Sequence, residues 1–161
     1  MNDIFEMPDD ARTWIYQADR ILSNAEVDEI TRSATQFVAS WTSHGATMDA
    51  FIRIFHNRFL IIAADEKKAL ASGCGIDKSV RFVKDTGEKY GVEFFNRNLV
   101  AYRQEGEIKQ SPLHVFWAMK KAGIIDNETI VFDHTVKNIG ELRDKWEAPF
   151  SSTWHNEMWL R

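Results

Sequence analysis

Apolar residues along this chain recur in two patterns, helical three-to-four spacing and short dense runs, and their alternation predicts interleaved helices and strands. Ser23 and Glu26 have the S-x-x-E spacing of a capping box, with Leu22 placed to staple against Val27. Val27, Ile30, Ala34, Phe37, Val38 and Trp41 then form one apolar face, and Gly45 follows. A second stripe, Val80, Val83, Gly87 and Tyr90, predicts another helix ended by Gly91. Gly87 within the stripe predicts a close approach to a sheet. Ser111, Pro112 and Gly123 punctuate a third helix as N-cap, first residue and C′, with Ile124 over Met119 in a Schellman-type end. A short fourth helix, carrying Ile139, Leu142 and Trp146, must stop before Pro149.

Between the helices lie runs rich in β-formers: Thr13–Gln17, Phe51–Phe55, Phe59–Ala64, Asn98–Arg103, Glu107–Gln110 and Thr129–Phe132. Asn57 suits a tight turn between the second and third of these, and Glu105-Gly106 a turn between the fourth and fifth. The run Phe59–Ala64 is continuously apolar, as in strands covered on both faces.

In order, residues 13–103 read strand, helix, strand, strand, helix, strand. That is the ferredoxin-like βαββαβ order, and it predicts an α+β fold with the strands around Ile15 and Ile61 adjacent at the centre. The bare face of such a sheet needs a cover, and the C-terminal β/α extension is the available lid. No repeat or Pro/Gly/Ser-rich linker interrupts residues 1–161, so one domain is expected.

Composition narrows the setting. One cysteine, Cys74, excludes an internal disulfide and suits a reducing, cytoplasmic environment. The start, Met1–Glu6, is acidic and has no apolar core of a signal peptide, and no run approaches a membrane span. A net charge of −4 without a basic run argues against nucleic acid as partner. Eleven Phe and six Trp can supply a large core or a partner surface. In the tail, Trp154 and Trp159 are expected to be buried, against the domain or a second subunit.

Four segments, Trp14-Ile15-Tyr16-Gln17-Ala18-Asp19-Arg20, Trp41-Thr42-Ser43-His44-Gly45, Arg58-Phe59-Leu60-Ile61 and Ser72-Gly73-Cys74-Gly75-Ile76-Asp77-Lys78-Ser79, together resemble an uncharacterised family of small bacterial proteins often labelled "ABC transporter ATPase". The label implies a G-x-x-x-x-G-K-[ST] phosphate loop, and no such string is present; Asp77 stands where a glycine should precede Lys78.

Chemistry concentrates in Ser72–Ser79. The segment follows an apolar strand and opens a helix, so its N–H groups, the thiol of Cys74 and the hydroxyls of Ser72 and Ser79 fall within one turn. Gly73 and Gly75 allow close backbone approach, and Asp77 competes with any anion for the helix terminus. A thiol at a helix start can be a nucleophile, and His44, beside Gly45, is the histidine best placed to serve it. The competing reading is a turn of small residues with Cys74 as a buried small hydrophobe. Asp65 and Glu66 precede this loop but point to opposite faces of a strand, which reads as a solvated strand end. Arg53, Arg58, Arg97 and Arg103 could line a groove for an acidic ligand. The histidines His44, His56, His114, His134 and His155 show no metal-ligand spacing, read as surface or turn residues, and no cofactor motif appears. The leading expectation is a binding or interaction module, acting on a protein partner or on itself through the aromatic C-terminal region, or on a small ligand. The alternative is a small enzyme using Cys74, and an NTPase ranks third.

Overall fold

A computed structural model describes residues 3–161 and shows a mixed helix-and-sheet, α+β protein. Its chain groups into two units: residues 3–96 with Lys137–Gly140, and Arg97–Val136 with Glu141–Arg161.

The first unit contains β1 (Arg12–Gln17), α1 (Asn24–Ser40), the two-residue strands β2 (Thr42–Ser43) and β3 (Ala46–Thr47), β4 (Asp49–Phe55), β5 (Phe59–Asp65) and α2 (Gly73–Tyr90). The capping box of α1 is formed in both directions: Ser23 Oγ accepts the Glu26 N–H, and Glu26 Oε1 accepts the Ser23 N–H. The sheet is antiparallel in the order β1-β5-β4, with Ile15 opposite Ile61. Alternate residues Leu60, Ile62 and Ala64 join Ile30, Ala34, Trp41 and Val83 in a core with α1 and α2. Phe59, Ile61 and Ala63, on the other face, are fully buried too, as the unbroken apolar run predicts. The N-terminal turn Ile4–Glu6 packs on β4, with the Phe5 and Phe55 rings 5.9 Å apart and Asp3 2.9 Å from Arg53.

The strand expected to complete this sheet does not join it. Residues Leu99–Gln104 form β6 and pair elsewhere, and the outer edge of β1 is occupied by Lys137–Ile139. The Thr13 N–H donates to Lys137 O at 2.9 Å, and the Ile139 N–H to Ala11 O at 3.0 Å. Edge donors and acceptors so engaged leave no ladder for a fourth strand. After α2 the chain instead runs beside Asp19, whose N–H donates to Glu93 O at 3.1 Å. Gly87 also serves a different contact from the one expected: a Cβ there would meet the Val92 carbonyl oxygen at 2.5 Å, so it admits the following loop, not a sheet. Gly91, at φ 64°, closes the helix as anticipated.

The second unit is built on an antiparallel sheet in the order β7-β6-β8-β9, from β6, β7 (Glu107–Pro112), β8 (Ile130–Phe132) and β9 (Glu147–Pro149). Glu105 and Gly106, at φ 53° and 78°, make the predicted two-residue turn of the β6–β7 hairpin. Helix α3 (Leu113–Lys121) starts after Pro112, not after a Ser111 cap. Ser111 belongs to β7, and its hydroxyl lies 3.2 Å from that of Tyr102. The other end follows the expected Schellman pattern, with Gly123 N–H to Lys120 O and Ile124 N–H to Met119 O. Phe116 of α3 is fully buried among Val100, Tyr102, Ile125, Val131 and Phe150. Helix α4 (Ile139–Lys145) precedes β9, and α5 (Trp154–Trp159) follows it.

Candidate functional site

The segment Ser72–Ser79 does open a helix, and the fold brings His44 to the same corner. Trp41 ends α1, so His44 is a hairpin residue and not a helix end. Thr42-Ser43 and Ala46-Thr47 pair around His44 and Gly45, whose φ values of 52° and 80° define a primed turn. The sequence signal was an X-Gly pair flanked by β-formers, masked by the apolar helix before it.

Five hydrogen bonds seat this hairpin on α2. The buried Trp41 indole N–H donates to Gly75 O at 2.8 Å. The Ser43 and Ser72 hydroxyls lie 2.7 Å apart, and the Ser72 N–H donates to Ser43 Oγ. Lys78 Nζ donates to both the carbonyl and the hydroxyl of Thr42. Gly75 makes the fit, since a Cβ there would come within 3.1 Å of Ser43 Cβ; Gly73 has open space around it and owes nothing to packing.

Polar groups at the corner divide into used and free. Ser72 Oγ accepts the Gly75 N–H as N-cap. Ser79 is buried, and its hydroxyl donates to Ile76 O at 2.7 Å, so it does not face the loop with Ser72 as expected. Asp77 lies on the first turns of α2. Cys74 is exposed, which overturns its reading as a buried hydrophobe. His44 is exposed as well. No hydrogen bond joins Cys74 to His44 among the described residues. The corner therefore offers an accessible thiol at a helix start, beneath a hairpin that carries an imidazole.

Asp65, Glu66, Arg53 and Arg103 are engaged structurally, and Arg97 is exposed. Asp65 Oδ1 and Glu66 Oε2 accept backbone N–H groups of Lys67 and Ala71, holding the loop that leads to Ser72. Arg53 pairs with Asp3, and Arg103 with Glu147. Arg58 is buried, and burial lowers its pKa.

The second unit holds a polar cluster that the sequence did not reveal. His155 is buried, and its Nδ1 lies 3.0 Å from Thr153 Oγ1. The Trp146 indole N–H donates to His134 Nδ1 at 3.1 Å, a bond that needs the nitrogen lone pair. Burial pushes both imidazoles down to about 4, helped at His134 by the neighbouring His155 and opposed at both by Asp133. Asp133 is itself buried and accepts the backbone N–H groups of Thr135 and Trp154. His155 is a core group, not the surface or turn residue expected, whereas His134 does lie in a turn and is half-buried; no set able to hold a metal occurs among the described residues.

Beside this cluster the aromatic tail is partly open. The Trp154 ring stacks on His155 at 4.0 Å, half-buried. Trp159, expected to be buried, is 38% exposed, and Met158 and Leu160 are 46% and 75% exposed. The Trp159 ring leans on Trp117 of α3 at 5.7 Å, and Lys120 Nζ spans Phe150 and Trp159. No helix among the described residues is long and apolar enough to cross a membrane. No protein-family model, no curated protein and no solved structure matches the chain.

Proposed function

We propose that this protein is a non-catalytic interaction module that docks protein through the aromatic surface of α3 and α5, with a second copy of the chain as its first partner. The observation that carries this reading is the joint exposure of Met158, Trp159 and Leu160 beside Trp117. Contiguous apolar surface of this kind marks interaction sites, and Trp supplies much of the energy of protein interfaces. Lys120, lying over the rings, supplies a charged rim to the same face. The β1-β5-β4 sheet with its two helices is read here as a ferredoxin-like arrangement without its fourth strand, serving as scaffold in a cytoplasmic setting. The ATPase label of the resembling family is set aside, because Lys78, the one lysine near a phosphate-loop position, is a tether to Thr42.

Sedimentation equilibrium tests the proposal. Across roughly 1–200 µM the wild type should pass from monomer to dimer, and Trp159→Ala should weaken the dimer by about 2 kcal/mol, some thirtyfold. A wild type that stays monomeric throughout overturns self-association.

A second reading, a thiol enzyme, is favoured by the exposure of Cys74 under the His44 hairpin. It expects native Cys74 to be alkylated at least ~10-fold faster at neutral pH than in the urea-unfolded chain, with His44→Ala removing the excess. Equal rates would leave the corner a structural turn.

A further inference from the structure

Beside α2, in the first unit, runs an open groove of about 660 Å³. That volume lies within the range of small-molecule sites. Its floor is carbon: Val80 and Val83 come from the helix, and Val92 and Phe94 from the segment that follows it. Phe95 forms a lip, 42% exposed, with its ring 5.4 Å from that of Tyr16.

The second wall of the groove is held in place. The chain turns at Gly91 and returns so tightly that Gly87 has no room for a side chain beneath the Val92 carbonyl. The Glu93 N–H then donates to Asp19 Oδ1 at 3.0 Å, and the Phe95 N–H to Glu93 Oε1 at 2.6 Å. These bonds fix both carboxylates at the rim and leave each a second oxygen.

The charge around that apolar floor is one-sided. Asp19, Glu88 and Glu93 line the groove with one cation, Lys84, while Arg20, next to Asp19, is turned to Glu26 and the Tyr90 carbonyl. Among the described residues, none of the three carboxylates lies within ion-pair distance of a basic side chain. Further along the same helix face Asp77 and Asp85 are matched by Arg81 and Lys84, so the negative excess belongs to the groove's own rim. A negative rim over an apolar trough attracts a positive group attached to an apolar body and repels the corresponding anion.

We propose that this groove binds a small organic cation, an amine carried on an apolar body, with the body on Val80, Val83, Val92 and Phe94 and the ammonium between Glu88 and Glu93. The site lies in a different unit from the aromatic surface and does not depend on self-association.

The test is a ¹H–¹⁵N NMR titration of the full chain with three probes of one shape: 4-phenylbutylamine, 4-phenylbutanol and 4-phenylbutyrate. The amine should give saturable shifts in the amides of residues 80–95. Its affinity should exceed that of the alcohol by at least ~10-fold, and the carboxylate should not saturate by ~10 mM. Glu88→Gln together with Glu93→Gln, both at exposed positions, should weaken the amine to the level of the alcohol. The alcohol's own shifts should persist in that variant, and the unchanged remainder of the spectrum reports that it is folded. Equal binding of amine and alcohol, a preference for the carboxylate, shifts confined to other residues, or no saturation by any probe would each overturn the proposal.

Discussion

The two units bury different materials. In the first, the core is largely aliphatic, with Trp41 and Phe94 set into it: Leu60, Ile62 and Ala64 of one strand meet Ile30, Ala34 and Val83 of two long helices. In the second, the interior is ringed: Phe116 touches Tyr102, Trp117, Phe150 and His155 at 5.6–6.0 Å between centroids. It also encloses Asp133 and His155. A core without titratable groups, like the first, is indifferent to pH. A core of rings and imidazoles depends on keeping those imidazoles neutral, because a charged group in a low-dielectric interior is disfavoured. The lesson is that units of similar class within one chain can have different sensitivities.

The strongest way to break this contrast is Phe116→Ala. A fully buried ring replaced by a methyl should cost about 3–5 kcal/mol, read from denaturant unfolding and from amide exchange in β6 and α3. A loss under ~1 kcal/mol would show that the rings of this unit are loosely packed and that the contrast is false.

Acid sharpens it next. His155 falls from the ordinary 6.5 to about 4 in the folded state, so the fold favours its neutral form. The stabilisation is complete above the unfolded value and is lost as pH drops from about 6.5 toward 4, amounting to about 3 kcal/mol for this residue at the acid end. His134 adds loss in the same direction and window. Exchange of second-unit amides should therefore accelerate between pH 6.5 and 4, and His155→Phe should flatten that dependence. An unchanged pH dependence in the variant would show that His155 does not titrate in this core.

Gly87→Ala probes the aliphatic unit at its tightest point. The added Cβ meets backbone oxygen, which cannot swing away like a side chain, so a loss of about 1–3 kcal/mol is expected in thermal unfolding. Neutrality would mean that the loop at Val92 shifts freely.

Legibility in the sequence followed the reach of the interaction. The Ser23–Glu26 box, the Gly123 helix end, the Glu105-Gly106 turn and the two-faced burial of β5 were all readable, because each is encoded by residues a few positions apart or by one unbroken run. At the candidate corner, a helix opening within Ser72–Ser79 with Cys74 at its start was readable for the same reason, whereas the capping role of Ser72 emerged from the structure. The Ser111 cap failed even at short range: its strand pairing with Val100 extends the ladder and its hydroxyl faces Tyr102, so strand geometry prevailed over capping.

What the sequence by itself determined is thus the inventory of helices, hairpins and their punctuation, since local sterics and backbone hydrogen bonds decide those. Tertiary structure alone decided which sheet β6 enters, because an open strand edge accepts any suitable backbone and the edge of β1 was taken by Lys137–Ile139, distant in the chain. It alone decided that His155 is buried in a core while Trp159 and Cys74 meet solvent, because exposure depends on what packs against a residue and not on its type. The seating of the His44 hairpin on α2 has the same cause: the Trp41–Gly75 and Ser43–Ser72 contacts join residues that only the folded chain brings together.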